Sequence, residues 1–220
     1  SNSHMPIVVL SHDAKLNAKT ILNTAVSYQM GETYTTGIDW YNAADPRPDY
    51  YRYMPSYQDS AALTSELAQI IKANPNMLQV DWDGMYEANM LNKKAGYRRS
   101  LYIVNENVEA SKKLNAAVNL ESTLTDHITF YTGLVYQGQN NHNFLRVGDL
   151  MGGEYWVNNN QFAEDGIQGQ VVSTSLNVGE KDSIRKEGDI YGYDYNIHFK
   201  KANWFAQGVF TYNKFDFFVA

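Results

Sequence analysis

The sequence contains no cysteine, which excludes both a disulfide framework and a thiolate metal site. It also lacks any apolar run long enough for a transmembrane helix; the longest near the start is Ile7 to Leu10. No stretch reads as a helical span or a signal peptide. A membrane barrel stays open, because its strands are only half apolar and leave mean hydropathy low, here -0.47. Basic charge is short too, with 18 Lys and Arg against 24 Asp and Glu and no basic stripe, so no nucleic acid is expected as a partner. By size alone, 220 residues fit one domain. Ser1 to Met5 is a cloning remnant or native sequence and carries no part of the reading.

Tyrosine is abundant, with 17 Tyr against 9 Phe and 4 Trp. It suits places with one wet and one apolar end, such as strand faces, binding surfaces and membrane rims. Period-two alternation is the main signal. From Lys15 to Met30, Leu16, Leu22, Val26, Tyr28 and Met30 share a face opposite Asn17, Lys19, Asn23, Ser27 and Gln29. Gly31-Glu32 reads as a short turn into Tyr34, Thr36, Ile38 and Trp40. From Lys113 to Leu124, Leu114, Ala116, Val118 and Leu120 oppose Asn115, Asn119, Glu121 and Thr123. Thr125-Asp126 then turns the chain into Ile128, Phe130, Leu134 and Tyr136. Tyr191, Tyr193, Tyr195, Ile197 and Phe199 form a fifth face, and Lys201-Ala202-Asn203 leads to a sixth strand from Trp204, blurred by Phe205 and Val209.

This predicts a mainly β protein of antiparallel up-and-down hairpins. Its strands lie near 16–30, 33–41, 112–124, 127–137, 189–200 and 204–218, with long loops at 42–111 and 138–188. Three short turns fall at one end of the meander and both long loops at the other, as in outer-membrane β-barrels with short periplasmic turns and long extracellular loops. Trp40, Tyr41 and Tyr136 would close the long-loop end, and Tyr28, Tyr34, Phe199 and Trp204 the other, as interfacial aromatics do. A soluble antiparallel sheet with aromatic edges is the plainer alternative. Six strands are too few for a barrel, whose lower limit is about eight, and both ends of the chain look cut.

One short helix is expected in the first long loop, capped by Asp59 or Ser60, with an apolar stripe at Leu63, Leu67, Ile70 and Ile71 and an end at Asn74-Pro75. The stripe reads as a packing face. Asp81-Trp82-Asp83-Gly84 with Glu87 lacks the spacing of a calcium loop. His4, His12, His127, His142 and His198 lack metal-ligand spacing. The glycines from Gly148 to Gly153 lack the Lys-Ser/Thr of a phosphate loop. Asp149, Glu154, Glu164, Asp189 and Asp194 have no periodically placed partner to tune them for acid–base work, so no enzyme, metal or cofactor is expected.

Three stretches carry a resemblance: Asp45-Pro-Arg-Pro-Asp-Tyr-Tyr-Arg-Tyr-Met-Pro-Ser-Tyr57; Asp149-Leu-Met-Gly-Gly-Glu-Tyr-Trp-Val with Asn160-Gln-Phe-Ala-Glu164; and Gly188-Asp-Ile-Tyr-Gly-Tyr-Asp-Tyr-Asn-Ile-His, continuing to Trp204. In order and spacing they resemble TonB-dependent receptors of Bacteroidetes-type bacteria over nearly all of residues 7 to 220. The resemblance implies a segment of a 22-stranded barrel in the outer membrane of a Gram-negative bacterium, filled by a plug domain that this chain does not include. It implies contact with the lipid bilayer and the plug, energy from TonB through the missing N-terminal part, a surface lipoprotein as a further partner, and import of a small nutrient ligand such as a glycan or iron chelate. The first two motifs themselves read as loop architecture. Tyr86, Asn140, His142, Tyr155 and Trp156 are the loop-tip side chains expected to meet a ligand. A soluble extracellular carbohydrate-binding module and an adhesive surface domain are the competing functions.

Overall fold

The computed structural model describes residues 1–160 and 183–220. It is mainly β, an antiparallel sheet of long strands with two helices. Strands β1 (Asn2–His4), β2 (Ile7–Asn17), β3 (Thr20–Trp40), β4 (Tyr102–Thr125), β5 (Ile128–Asp149), β8 (Ile190–Tyr212) and β9 (Phe215–Val219) form one sheet. Its order is β1-β3-β4-β5-β8-β9, with β2 also on β3. Among the described residues no pairing joins the β2 edge to β9, so the sheet is open and closes no barrel by itself. Strands β6 (Trp156–Val157) and β7 (Ile184–Arg185) make a separate pair. Glu164 and most of the Asn160–Glu164 motif lie outside the described residues.

Of the three predicted hairpins only 112–137 is present, as β4–β5. The strands predicted near 16–30 and 33–41 are, from Thr20 on, one strand, β3, and those near 189–200 and 204–218 are, as far as Tyr212, one strand, β8. Gly31-Glu32 is inside β3, not a turn. The hairpin partner of β3 is β2, registered Ile7↔Gln29 through Lys15↔Ile21, and the chain reverses at Ala18-Lys19, where Asn17 Oδ1 accepts the Lys19 amide at 2.8 Å. Gly31 marks a close approach: a Cβ there would run into the His4 carbonyl. Lys201-Ala202-Asn203 is likewise strand, and the turn comes at Asn213-Lys214. The β4–β5 turn is at Asp126-His127, one residue beyond expectation.

The residues fall into two compact units, Ser1–Tyr34 with Val108–Asn143 and Tyr195–Ala220, and Thr35–Asn107 with Phe144–Asp194. The first, the strand unit, holds all three short turns. The second, the loop unit, holds both long connections, now 41–101 and 150–189 because β4 and β5 extend further than predicted. Its core is Tyr41, Ile103, Val147, Leu150, Trp156 and Tyr191, beside a second cluster of Met85, Tyr102 and Met151.

The loop unit contains both helices. Helix α1 (Ala61–Ala73) matches expectation, with Ser60 Oγ accepting the Leu63 amide at 3.3 Å. Helix α2 (Trp82–Lys94) was not predicted. The Asp81–Gly84 acidic cluster, which lacks calcium-loop spacing, forms its N-terminus, where Asp81 Oδ1 accepts the Gly84 amide at 2.9 Å.

Candidate functional site

The strand unit presents two chemically different faces. The β2–β3 register pairs even residues with even, Val8 with Tyr28 and Leu10 with Val26. Hydrogen bonds from Asn115 Nδ2 to Ser27 Oγ (3.1 Å) and between Thr20 and Ser122 (3.0 Å) carry that parity into β4. The Ser111 hydroxyl to Asn141 Oδ1 (2.8 Å) carries it into β5. A Cβ on Gly133 would meet both the Asn119 amide and the Phe205 ring, and Phe210 stacks on Phe217 at 4.8 Å, which extends the two faces through β8 to β9.

One face therefore gathers Leu10, Val26, Tyr28, Leu114, Val118, Leu134, Trp204 and Phe217. The other gathers Asn23, Ser27, Asn115, Asn119 and Glu121, interrupted by Tyr195, Ile197, Phe199 and Phe205 of β8 and by Phe218. In the middle of β3 burial runs opposite to that of a water-soluble sheet. Val26, Tyr28 and Met30 are 45%, 42% and 51% exposed, while Ala25, Ser27 and Gln29 between them are half-buried. Trp204 is 70% exposed. Side-chain bonds on the polar face join Asn23 to Asp13 (2.6 Å) and Asn115 to Ser27.

Where the apolar face ends, a cavity of about 600 Å³ opens in the strand unit. Met30, Glu32, Ala110, Lys112, Asn140, His142 and Asn196 line it. Two of the five predicted ligand residues, Asn140 and His142, thus come together, though on β5 and not at a loop tip. Sequence reading missed Lys112 and Glu32, whose convergence depends on the strand register.

The other three belong to the loop unit. Trp156 is buried, edge-on to Tyr41 (6.2 Å) and Tyr191 (6.0 Å), so it lies in the core and not at a loop tip. Tyr155 is half-buried and bridges to Arg99. Tyr86 is exposed on α2 and donates to Asp149 Oδ2 at 3.2 Å, an acceptor whose hydrogen bond and charge push the phenol pKa up. Tyr41 and Trp40, expected at a membrane rim, pack instead in this unit, Trp40 beneath the Arg47 guanidinium at 5.3 Å. Tyr28, Tyr34 and Phe199 are mid-strand and mark no short-turn rim.

The motif residues have structural partners in the loop unit. Asn89, fully buried on α2, donates through Nδ2 to the carbonyls of Tyr102 (2.8 Å), Leu150 (3.1 Å) and Met151 (3.0 Å). Its Oδ1 accepts the amides of Leu101 (2.7 Å) and Tyr102 (3.1 Å). Ser100 Oγ donates to the Leu150 carbonyl at 2.7 Å, and a Cβ on Gly153 would collide with that hydroxyl. Asp149 Oδ1 accepts the Met151 amide at 2.6 Å, which steadies the left-handed backbone at Met151 (φ 49°). In the first motif, Arg47 forks onto Asp45, holding that carboxyl below its ordinary pKa, and Tyr53 donates to the Asp45 carbonyl at 3.0 Å.

The remaining carboxylates are engaged locally. Glu154 pairs with Lys93 (3.2 Å) and Arg98 (3.4 Å), and Asp189 accepts the Lys186 amide at 2.7 Å. Asp194 lines a smaller cavity with Arg185 and Tyr193. Asp39 accepts from the Tyr191 hydroxyl at 2.9 Å, and Asn105 Nδ2 donates to that same hydroxyl at 3.1 Å. Burial raises the Asp39 pKa against the two hydrogen bonds that lower it, and burial beside that carboxyl also raises Tyr191. No family model, curated protein or solved structure matches the chain.

Proposed function

We propose that this chain is a wall segment of a TonB-dependent outer-membrane transporter of a Gram-negative bacterium, with no catalytic role of its own. The observation that supports the reading is the inverted burial in the middle of β3, where exposed Val26, Tyr28 and Met30 alternate with half-buried Ala25, Ser27 and Gln29, and in β4, where exposed Leu114 stands beside half-buried Asn115. The apolar stretch has the right length. Leu114 to Leu124 rises roughly 33 Å along the strand, and a tilt of about 45° brings this to roughly 23 Å, near the ~25 Å apolar band of such barrels. On this reading lipid covers the even face and a plug domain fills the space beside the polar one. TonB acts through the plug, and a nutrient such as a glycan or iron chelate enters past the loop unit, where a surface lipoprotein docks.

Detergent dependence tests the reading. The chain is expected to stay monodisperse in neutral micelles and to aggregate when detergent is removed, followed by light scattering and gel filtration. A chain that is monomeric and monodisperse without detergent favours a soluble carbohydrate-binding or adhesive β module instead.

A further inference from the structure

The cavity in the strand unit has a position and a chemistry that the barrel reading does not use. It occupies the two rows of even-numbered residues just past the apolar band: Met30, Lys112 and Asn140 in one, Glu32 and His142 in the other. Lys112 makes no ion pair among the described residues. Asn140 has its amide oxygen buried without a partner, an acceptor that calls for a donor. Asn196 adds a second amide. At two-residue spacing beyond Asn196, the exposed His198 and Lys200 follow on the same face of β8. Glu32 is the one carboxylate lining the cavity.

An apolar band that ends in a partly enclosed cavity with Lys112 and two amides in its lining matches an amphiphile. Its tails lie along Tyr28, Leu114 and Tyr136, and its headgroup reaches the polar rows. Resting on the membrane reading, we infer that this cavity binds the phosphomonoester headgroup of a lipid. Lys112 takes the phosphate charge, Asn196 donates to its oxygens, and the Asn140 carbonyl accepts from the protonated phosphate oxygen.

The test uses the 220-residue chain in neutral detergent micelles doped with phosphatidic acid or, separately, phosphatidylcholine, with retained lipid counted by native mass spectrometry. One phosphatidic acid is expected to stay on each chain, and phosphatidylcholine to wash out. Lys112→Gln should lower retention at least tenfold, Lys112→Arg should restore it, and Lys15→Gln, on the polar face, should leave it unchanged. Circular dichroism confirms that each variant keeps its β content. Equal retention of both lipids, or retention untouched by Lys112→Gln, overturns the inference. Displacement by excess inorganic phosphate assigns the cavity to a free anion and overturns the lipid assignment. A chain that needs detergent yet shows no phosphate preference defeats this inference alone; one that needs no detergent defeats the membrane reading beneath it.

Discussion

Val118→Arg is expected to cost the lipid-embedded protein about 2–4 kcal/mol, while Asn119→Arg, one residue along the same strand, costs far less. Val118 stands in the middle of the apolar face and is 43% exposed, so an arginine there must drag its guanidinium into hydrocarbon or bend back toward the rim. Asn119 faces the polar side, where an arginine meets Glu121 and the amides of Asn115 and its neighbours in a hydrated space. A soluble sheet gives another result, since both positions are already solvent-accessible and neither arginine would be buried. Urea unfolding from micelles or vesicles separates the outcomes. A gap of about 2 kcal/mol between the variants is the signature of a lipid-facing wall.

Asn89→Leu should destabilise the loop unit by about 3–5 kcal/mol. The side chain is nearly isosteric but strips hydrogen bonds from three carbonyls and two amides at once, and each buried group left unsatisfied costs roughly 1–3 kcal/mol, with incomplete additivity. Asn89→Asp sharpens the test. It keeps the acceptor for the Leu101 and Tyr102 amides but turns a carboxylate oxygen toward the carbonyls of Tyr102, Leu150 and Met151. It is therefore expected to be at least as damaging as leucine. Limited proteolysis of residues 41–101 reports the loss, because this amide is the buried link from α2 to Tyr102 of β4 and to Leu150 and Met151. Wild-type resistance in both variants would show that the apolar cluster of Met85, Tyr102 and Met151 holds the helix without it.

The strands are legible in the sequence because their faces differ, and the displaced turns show where that legibility ends. Across Gly31-Glu32 the apolar residues stay on even numbers, from Met30 to Tyr34. A two-residue turn would have switched the parity, so uninterrupted strand was already written there. Glycine reads as a turn signal, but Gly31 marks the close approach of the His4 carbonyl. In β8, Phe205 and Val209 look misplaced only if a new strand begins at Trp204. In one strand they continue the odd face of Tyr195, Ile197 and Phe199.

The loop unit is harder to read for a different reason. Leu101-Tyr102-Ile103-Val104 and Phe144-Leu145 with Val147 are buried on both faces or nearly so, and such strands lose their alternation. Helix α2 gives a weak signal because its buried stripe is centred on a polar residue, Asn89, while Met90 and Leu91 are exposed. The cavity joins residues from several strands, and only a register brings Lys112 beside Asn140. Trp156 is expected at a loop tip because aromatic residues in Gly/Asn-rich segments often sit there; its indole instead fills the core between Tyr41 and Tyr191.

The absence of native cysteine makes the most direct measurement simple. Single cysteines at 116, 117, 118, 119 and 120 along β4, each carrying an environment-sensitive fluorophore, can be read in lipid–detergent micelles containing a spin-labelled acyl chain. The barrel-wall reading expects blue-shifted emission and strong quenching by the acyl spin label at 116, 118 and 120. It expects red-shifted emission at 117 and 119, with quenching there by a water-soluble agent instead. Uniform accessibility to the aqueous quencher at all five positions would contradict it and leave a soluble β module as the better description of this chain.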